Sequence, residues 1–129
     1  MADAWAVIAP DGGLTWYPLA DMAYVEAVVS GDYAPGALDR AFVSGPLRVM
    51  ASDVALLASE HYAPNPAARH VITRLSGGRI IQPWRGHVAL VQYDRDDETG
   101  EWLWPREMSG KWAQRIADAV RDWRENPDG

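Results

Sequence analysis

The sequence contains no cysteine and only one lysine, Lys111, among its 12 basic residues. The absence of cysteine excludes disulfide bonds, thiol nucleophiles and thiolate zinc sites. Uninterrupted apolar runs are only a few residues long, whereas a membrane-spanning helix needs roughly 20. The first residues also lack the basic segment and the apolar segment of a secretory signal. We therefore expect a cytoplasmic protein that is not inserted in a membrane.

Acidic residues are missing from the stretch 61–93, although the whole chain has a formal net charge of −6. The stretch contains all three histidines and four arginines, which are Arg69, Arg74, Arg79 and Arg85. Two interpretations stay open: these arginines pair with the acidic remainder of the chain, or they form a site for an anion or an acidic partner. The net acidity argues against general nucleic-acid binding, because a basic surface supplies most of that affinity.

The length of 129 residues predicts a single domain. Turn residues between short apolar segments predict three β-hairpins, formed by 5–9 with 14–17, 41–43 with 47–50, and 87–93 with 101–104. Apolar residues at helical spacing predict helices over 19–30, after Asn65 and after Ser109 or Gly110. The pattern indicates an α+β fold: a mainly antiparallel sheet built from hairpins, with about three helices packed on one face. We expect this domain to cover 1–125 and a frayed tail to cover 126–129.

The helix after Asn65 carries the clearest signals. Asn65 is a preferred N-cap, Pro66 suits the first helical position, and Gly77 marks the end. Weaker signals predict a short helix over 54–58, a short strand at 80–81 and the end of the last strand at Pro105.

No catalytic or metal-binding motif is present. The acidic segment that begins at Asp94 has Thr99 and Pro105 where a calcium loop needs glycine and glutamate. The three histidines share no metal-ligand spacing, and Ser44 lies outside a Gly-x-Ser-x-Gly motif. We therefore predict neither a cofactor nor a metal; the sequence leaves enzymatic activity open and favours a role without it.

The seven tryptophans are the most unusual component. Trp112 and Trp123 lie on the apolar stripe of the last helix and are predicted to be core residues. Trp102 and Trp104 alternate along a strand, so they share one face, which is either buried or an exposed aromatic pair at an interface. Trp84 lies in a Pro-Trp-Arg-Gly loop, where it either covers the core or contacts a partner.

Three short motifs carry a resemblance to a known family. They are Asn65-Pro66-Ala67-Ala68, Gly77-Gly78 and Pro83-Trp84-Arg85-Gly86-His87-Val88. Over about residues 47–93 the chain resembles an uncharacterised family of short domains found in actinobacteria and in their phages and plasmids. The resemblance implies no activity, but it implies an accessory protein of a phage or another mobile element.

These observations predict a small protein-binding accessory protein that acts on a host or self protein. The predicted binding residues come from the acid-free stretch and are Arg69, Arg74, Trp84, Arg85 and His87. One alternative is a small enzyme or binding protein for an anionic metabolite or nucleotide, with arginines as the clamp. A second alternative is acidic mimicry of nucleic acid. A homodimer through the hairpin of 87–93 and 101–104 is a further arrangement that the sequence leaves open.

Overall fold

A computed structural model gives the fold of residues 2–127, in which helices lie against a six-stranded sheet. The predicted α+β fold is confirmed, and every described strand pair is antiparallel. In chain order the elements are β1 (Asp3–Ile8), β2 (Leu14–Pro18), a 3-10 turn (Leu19–Asp21), α1 (Met22–Ser30), β3 (Leu38–Ser44), β4 (Leu47–Ser52), a 3-10 turn (Ser59–His61), α2 (Pro66–Leu75), β5 (Val88–Arg95), β6 (Trp102–Arg106) and α3 (Gly110–Glu125).

The strand β5 organises the sheet, whose order is β2-β1-β5-β4-β3. Along one side β5 pairs with β4; along the other it pairs first with β1 and then with β6. Leu90, for example, lies opposite Ala6 of β1 and Val49 of β4. Three strands, β2, β3 and β6, are therefore left with a single partner each.

Helices cover both faces of the sheet, so the expectation that they share one face is wrong. The helices α2 and α3 pack on the face that carries Ile8, Val49 and Leu90. The shorter α1 packs on the other face, where Val25 and Val29 meet Trp5, Val7, Met50, Ala89 and Val91. The central strands are apolar on both faces, which is typical of strands buried between two layers.

Asn65 begins α2 as the sequence predicts. Its Oδ1 accepts a hydrogen bond from the backbone N–H of Ala68 at 3.0 Å. Its Nδ2 donates to the carbonyl oxygens of Ile8 at 2.9 Å and Gly86 at 2.8 Å. One buried amide thus caps the helix and ties it to β1 and to the segment before β5.

The three weaker predictions are wrong. Residues 53–58 form turns instead of a helix, and the Ser52 hydroxyl accepts a hydrogen bond from the N–H of Val54 at 3.3 Å. Residues 80–81 are irregular because side chains at the end of α2 satisfy the Ile80 backbone: the hydroxyl of Thr73 donates to its carbonyl, and the hydroxyl of Ser76, the C-cap of α2, accepts from its N–H. Pro105 lies inside β6, which tolerates it because β6 is an edge strand.

At the C-terminal end, Asn126 donates its backbone N–H to the carbonyl of Asp122 in the last turn of α3. Of the predicted tail, Asp128 and Gly129 lie outside the described residues. None of the helices formed by residues 2–127 combines the length and the apolar character needed to cross a membrane.

Candidate functional site

The five binding residues predicted from the sequence lie in three separate places. Arg69 and Arg74 project from α2 into an open groove of about 740 Å³ beside the end of α3. Asp122 of α3 lines the same groove and contacts two basic side chains, His70 Nε2 at 2.9 Å and Arg74 Nη1 at 3.0 Å. A carboxylate of the chain itself therefore already occupies part of this basic groove.

Trp84 and Arg85 lie together but serve the fold. Trp84 is half-buried and packs against the core beneath α2 and α3, so it covers the core. Its indole Nε1 is buried, with no hydrogen-bond partner among residues 2–127. The Arg85 guanidinium donates to the carbonyl oxygens of Tyr62 at 3.0 Å and Ser59 at 3.3 Å. These bonds fasten the loop before β5 to the segment before α2.

His87 lines a third place, a pocket with Tyr33, His61 and Tyr62. There the rings of Tyr33 and His61 are stacked with centroids 3.8 Å apart. The five residues therefore do not form one continuous surface, and their role in binding stays a prediction. In the part of the chain that the structure describes, no group of three or more acidic or histidine side chains could hold a metal ion.

A different set of side chains converges on the sheet face that α1 covers only in part. Beyond the contacts of α1, toward the end of β5, aromatic and arginine side chains from β3, β4, β5 and β6 lie against one another. We call this set the aromatic–arginine surface; its members are Phe42, Arg48, Tyr93, Arg95 and Trp102. The pairing of Phe42 with Arg48, and of Arg48 with Val91, places these three side chains in one row across the sheet, and Tyr93 follows Val91 by two residues along β5.

Cation–π contacts hold the aromatic–arginine surface in place. The guanidinium carbon of Arg48 lies 3.9 Å from the ring centroid of Phe42 and 4.2 Å from that of Tyr93. The guanidinium carbon of Arg95 lies 5.1 Å from the ring of Trp102, whose centroid is 5.3 Å from that of Phe42. Such contacts stabilise by about 0.5–1 kcal/mol each at exposed sites. These contacts favour the observed arrangement of the side chains within the chain itself.

The surface is partly exposed and carries two arginines without an acidic partner: Phe42 and Arg95 are exposed, whereas Arg48, Tyr93 and Trp102 are half-buried. The Nε of Arg48 is buried and has no hydrogen-bond partner among residues 2–127. Phe42 is 42% exposed. Within residues 2–127, no carboxylate lies within ion-pair distance of Arg48 or Arg95, and Arg95 Nε donates to the carbonyl of Gly100 at 2.9 Å. At the α1 side, Arg40 is paired with Glu26 at 2.6 Å. The surface thus offers aromatic area together with unneutralised positive charge.

The sequence predicts that Trp102 and Trp104 share one face of a strand, either buried or as an exposed aromatic pair, and the structure separates them. A register shift places Trp102 opposite Arg95 and Pro105 opposite Tyr93, so two residues of β6, Leu103 and Trp104, face the single residue Asp94 of β5. This bulge breaks the alternation on which a shared face rested. Trp104 is 65% exposed, so it is not a core residue.

Phe42, Arg48, Tyr93 and Arg95 were missed as site residues. The turn at 44–46 does predict that Phe42 and Arg48 lie near each other in a hairpin. The pairing of β4 with β5, which brings Tyr93 beside them, joins strands about 40 residues apart and has no local sequence signal.

Comparisons of the chain with protein-family models, with curated protein sequences and with solved structures each found no significant match.

Proposed function

We propose that the protein is a binding protein without catalytic activity, which contacts a protein partner through the aromatic–arginine surface. The observation that carries the proposal is the position of Arg48 between the rings of Phe42 and Tyr93 on a sheet face left open by α1. Aromatic residues and arginine are the residue types most enriched among the energetic hot spots of protein interfaces.

The contacts among the side chains of this surface support a role in binding. Immobilising a flexible side chain at an interface costs about 0.5–1.5 kcal/mol. The contacts of Arg48 with Phe42 and Tyr93, and of Arg95 with Trp102, meet part of that cost in the free protein. A partner therefore gains more of the contact energy as affinity.

The charge of the surface selects the chemistry of the partner. Arg48 and Arg95 favour a protein that presents acidic side chains beside an apolar patch, because charge-assisted hydrogen bonds to carboxylates are strong. Exposed aromatic rings and arginines also suit stacking with single-stranded nucleic acid. The formal net charge of −6 opposes that alternative, since nucleic-acid affinity depends on neutralising phosphates.

A capture experiment with matched variants tests the proposal. The wild-type protein and three variants, Trp102→Ala, Leu57→Ala and Arg69→Ala, are immobilised and exposed to extract of the source cells. The bound proteins are quantified by mass spectrometry, and the dissociation constant of the purified partner is measured by calorimetry. We expect Trp102→Ala to weaken binding at least tenfold, about 1.4 kcal/mol.

The other two variants are controls for exposed residues elsewhere. Leu57 is 89% exposed in the turn before α2, and Arg69 lines the groove of α2. Both variants should bind as the wild type does. A partner that Trp102→Ala retains with unchanged affinity would refute the proposed surface, and saturable binding of a single-stranded oligonucleotide would replace the protein partner by a nucleic acid.

The groove of α2 supports a second candidate function, the binding of an anionic metabolite or nucleotide. Its basis is that Arg69, His70 and Arg74 line one groove. Asp122 competes with any anion there, because it already contacts His70 and Arg74. A thermal-shift screen against nucleotides and metabolites tests this function: a rise in melting temperature that Arg69→Ala abolishes would favour it over protein binding.

The role in a phage or another mobile element is part of the proposal and is supported by the short motifs between Asn65 and Val88. Genes that neighbour the coding sequence test it directly. Integrase, replication or capsid genes beside it would support this origin, and a stable chromosomal operon of metabolic genes would contradict it.

A further inference from the structure

The three strands with a single partner differ in how their free edges are protected. The short strand β2 ends at Pro18, and β6 contains Pro105. Proline lacks a backbone N–H, and natural proteins use it to prevent pairing at a sheet edge. The seven residues of β3 contain no proline. Among the edges that residues 2–127 form, β3 is thus the longest and the one without this protection.

The middle of β3 is exposed on both faces of the sheet. All residues from Asp39 through Phe42 are exposed. The N–H of Asp53 donates to the carbonyl of Ala37 at 3.2 Å. Because backbone groups alternate in direction along an antiparallel strand, residues 37, 39 and 41 face β4, and the backbone groups of Arg40 and Phe42 point to the free edge. The N–H of Arg40 accordingly meets only the neighbouring Asp39 carboxylate, at 3.0 Å.

We infer that this free edge pairs with β3 of a second copy of the chain, antiparallel, with Ala41 on the two-fold axis. Homodimers most often form through such a self-complementary contact. The two sheets then continue into one another through β3. The hairpin of β5 and β6 is less suited to this contact, because its outer strand contains Pro105.

The sequence of β3 selects the register. Ala41 is the midpoint of Leu38–Ser44, so the overlap of the two strands is longest when Ala41 lies opposite Ala41 of the second copy. The irregularity of β3 between Phe42 and Ser44 then lies toward the ends of the overlap, away from the axis. Arg40, which Glu26 neutralises within its own copy, then lies opposite Phe42 of the second copy, and Asp39 lies opposite Val43. A shift that centres the axis on Arg40 or Asp39 instead sets like charges directly opposite, which is destabilising.

Exposed apolar side chains flank this edge on both faces and lose water when the copies pair. Leu56 is 60% exposed and lines a small pocket with Asp39 and Ala41 on the α2 side. Phe42 is 42% exposed on the α1 side, where it begins the aromatic–arginine surface. Pairing through β3 therefore makes the two aromatic–arginine surfaces neighbours at their Phe42 ends.

Single cysteines test the register directly, because the chain has no cysteine of its own. Ala41 would form a pair without mutual backbone hydrogen bonds, with Cα atoms about 4.5 Å apart, which lies within the range of about 4.4–6.8 Å that disulfides adopt. In the same register the two copies of Asp39 are offset by four residues, about 13 Å along the strands. Both positions are exposed, so Ala41→Cys and Asp39→Cys should fold alike.

We expect the wild-type protein to show a dimeric mass in light scattering as its concentration rises toward 1 mM. Under mild oxidation, Ala41→Cys should form a disulfide-linked dimer at least tenfold faster than Asp39→Cys. A wild-type mass that stays monomeric, together with equal and slow crosslinking of the two variants, would overturn the inference. A dimer in which Asp39→Cys crosslinks as fast as Ala41→Cys would also overturn it, since the copies would then meet elsewhere.

Discussion

Helices cover the two faces of the sheet to different degrees. On one face, α2 and α3 bury a continuous core in which Ile72, Leu90 and Ile116 have no exposed surface. On the other face, the nine residues of α1 cover only part of the sheet, whereas α3 has 16 residues. Beyond α1 the aromatic side chains remain partly exposed and are held by arginines. The first face thus contributes most of the buried core, and the second keeps the partly exposed side chains on which the proposed function rests.

The largest effect on stability is expected on the face that α2 and α3 cover. Ile72→Ala removes a fully buried side chain of α2 and should lower the free energy of unfolding by about 2–5 kcal/mol. Leu57→Ala is the matched control, because Leu57 is 89% exposed, and it should change the free energy by less than about 0.5 kcal/mol. Urea unfolding followed by circular dichroism measures both. Equal losses for the two variants would remove the distinction between core and surface.

A smaller effect on stability is expected for Trp84, and its substitution should leave binding unchanged. Trp84 is half-buried against the face that α2 and α3 cover. Trp84→Ala should therefore lower the free energy of unfolding by about 2 kcal/mol, less than the loss for a fully buried tryptophan. Because Trp84 lies away from the aromatic–arginine surface, the folded variant should bind the partner with unchanged affinity. Urea unfolding and calorimetry give the two values. Weakened binding by a fully folded Trp84→Ala variant would mean that the loop containing Trp84 contacts the partner.

The smallest effect is expected from Arg48→Lys. Lysine keeps the charge but lacks the planar guanidinium that lies between Phe42 and Tyr93. The variant should lose about 0.5–1 kcal/mol of stability, while its affinity for the partner falls several-fold. Arg115→Lys is a control of the same type, since Arg115 contacts the ring of Trp112 on α3. Unchanged affinity for Arg48→Lys would mean that charge alone is recognised.

Local signals predicted much of this fold. Asn65, Pro66 and Gly77 marked α2 because capping and helix termination depend on neighbouring residues. Turn residues likewise predicted the hairpins of β1 with β2 and β3 with β4. Prediction failed at residues 80–81, which are irregular because the side chains of Thr73 and Ser76, seven and four residues earlier, bind the Ile80 backbone.

The candidate site depends on long-range pairing, so the sequence located it poorly. The acid-free stretch directed attention to Arg69, Arg74 and Arg85, yet Arg74 meets Asp122 of α3 and Arg85 meets backbone carbonyls. Arg74 thus pairs with an acidic residue of the remaining chain, Arg85 fits neither interpretation of the stretch, and an anion site there stays a prediction. The exposure of Trp104 follows from the edge position and bulge of β6, which alternation along the strand does not reveal.

The indole N–H signals of the seven tryptophans give the most direct test of where a partner binds. Each signal can be assigned in a nitrogen–proton NMR spectrum by single substitution, and the captured partner is then titrated into the labelled protein. We predict that the signal of Trp102 shifts or broadens at stoichiometric partner, while the signals of Trp84 and Trp112 stay in place. A titration that moves Trp84 and leaves Trp102 unchanged would contradict the proposed surface.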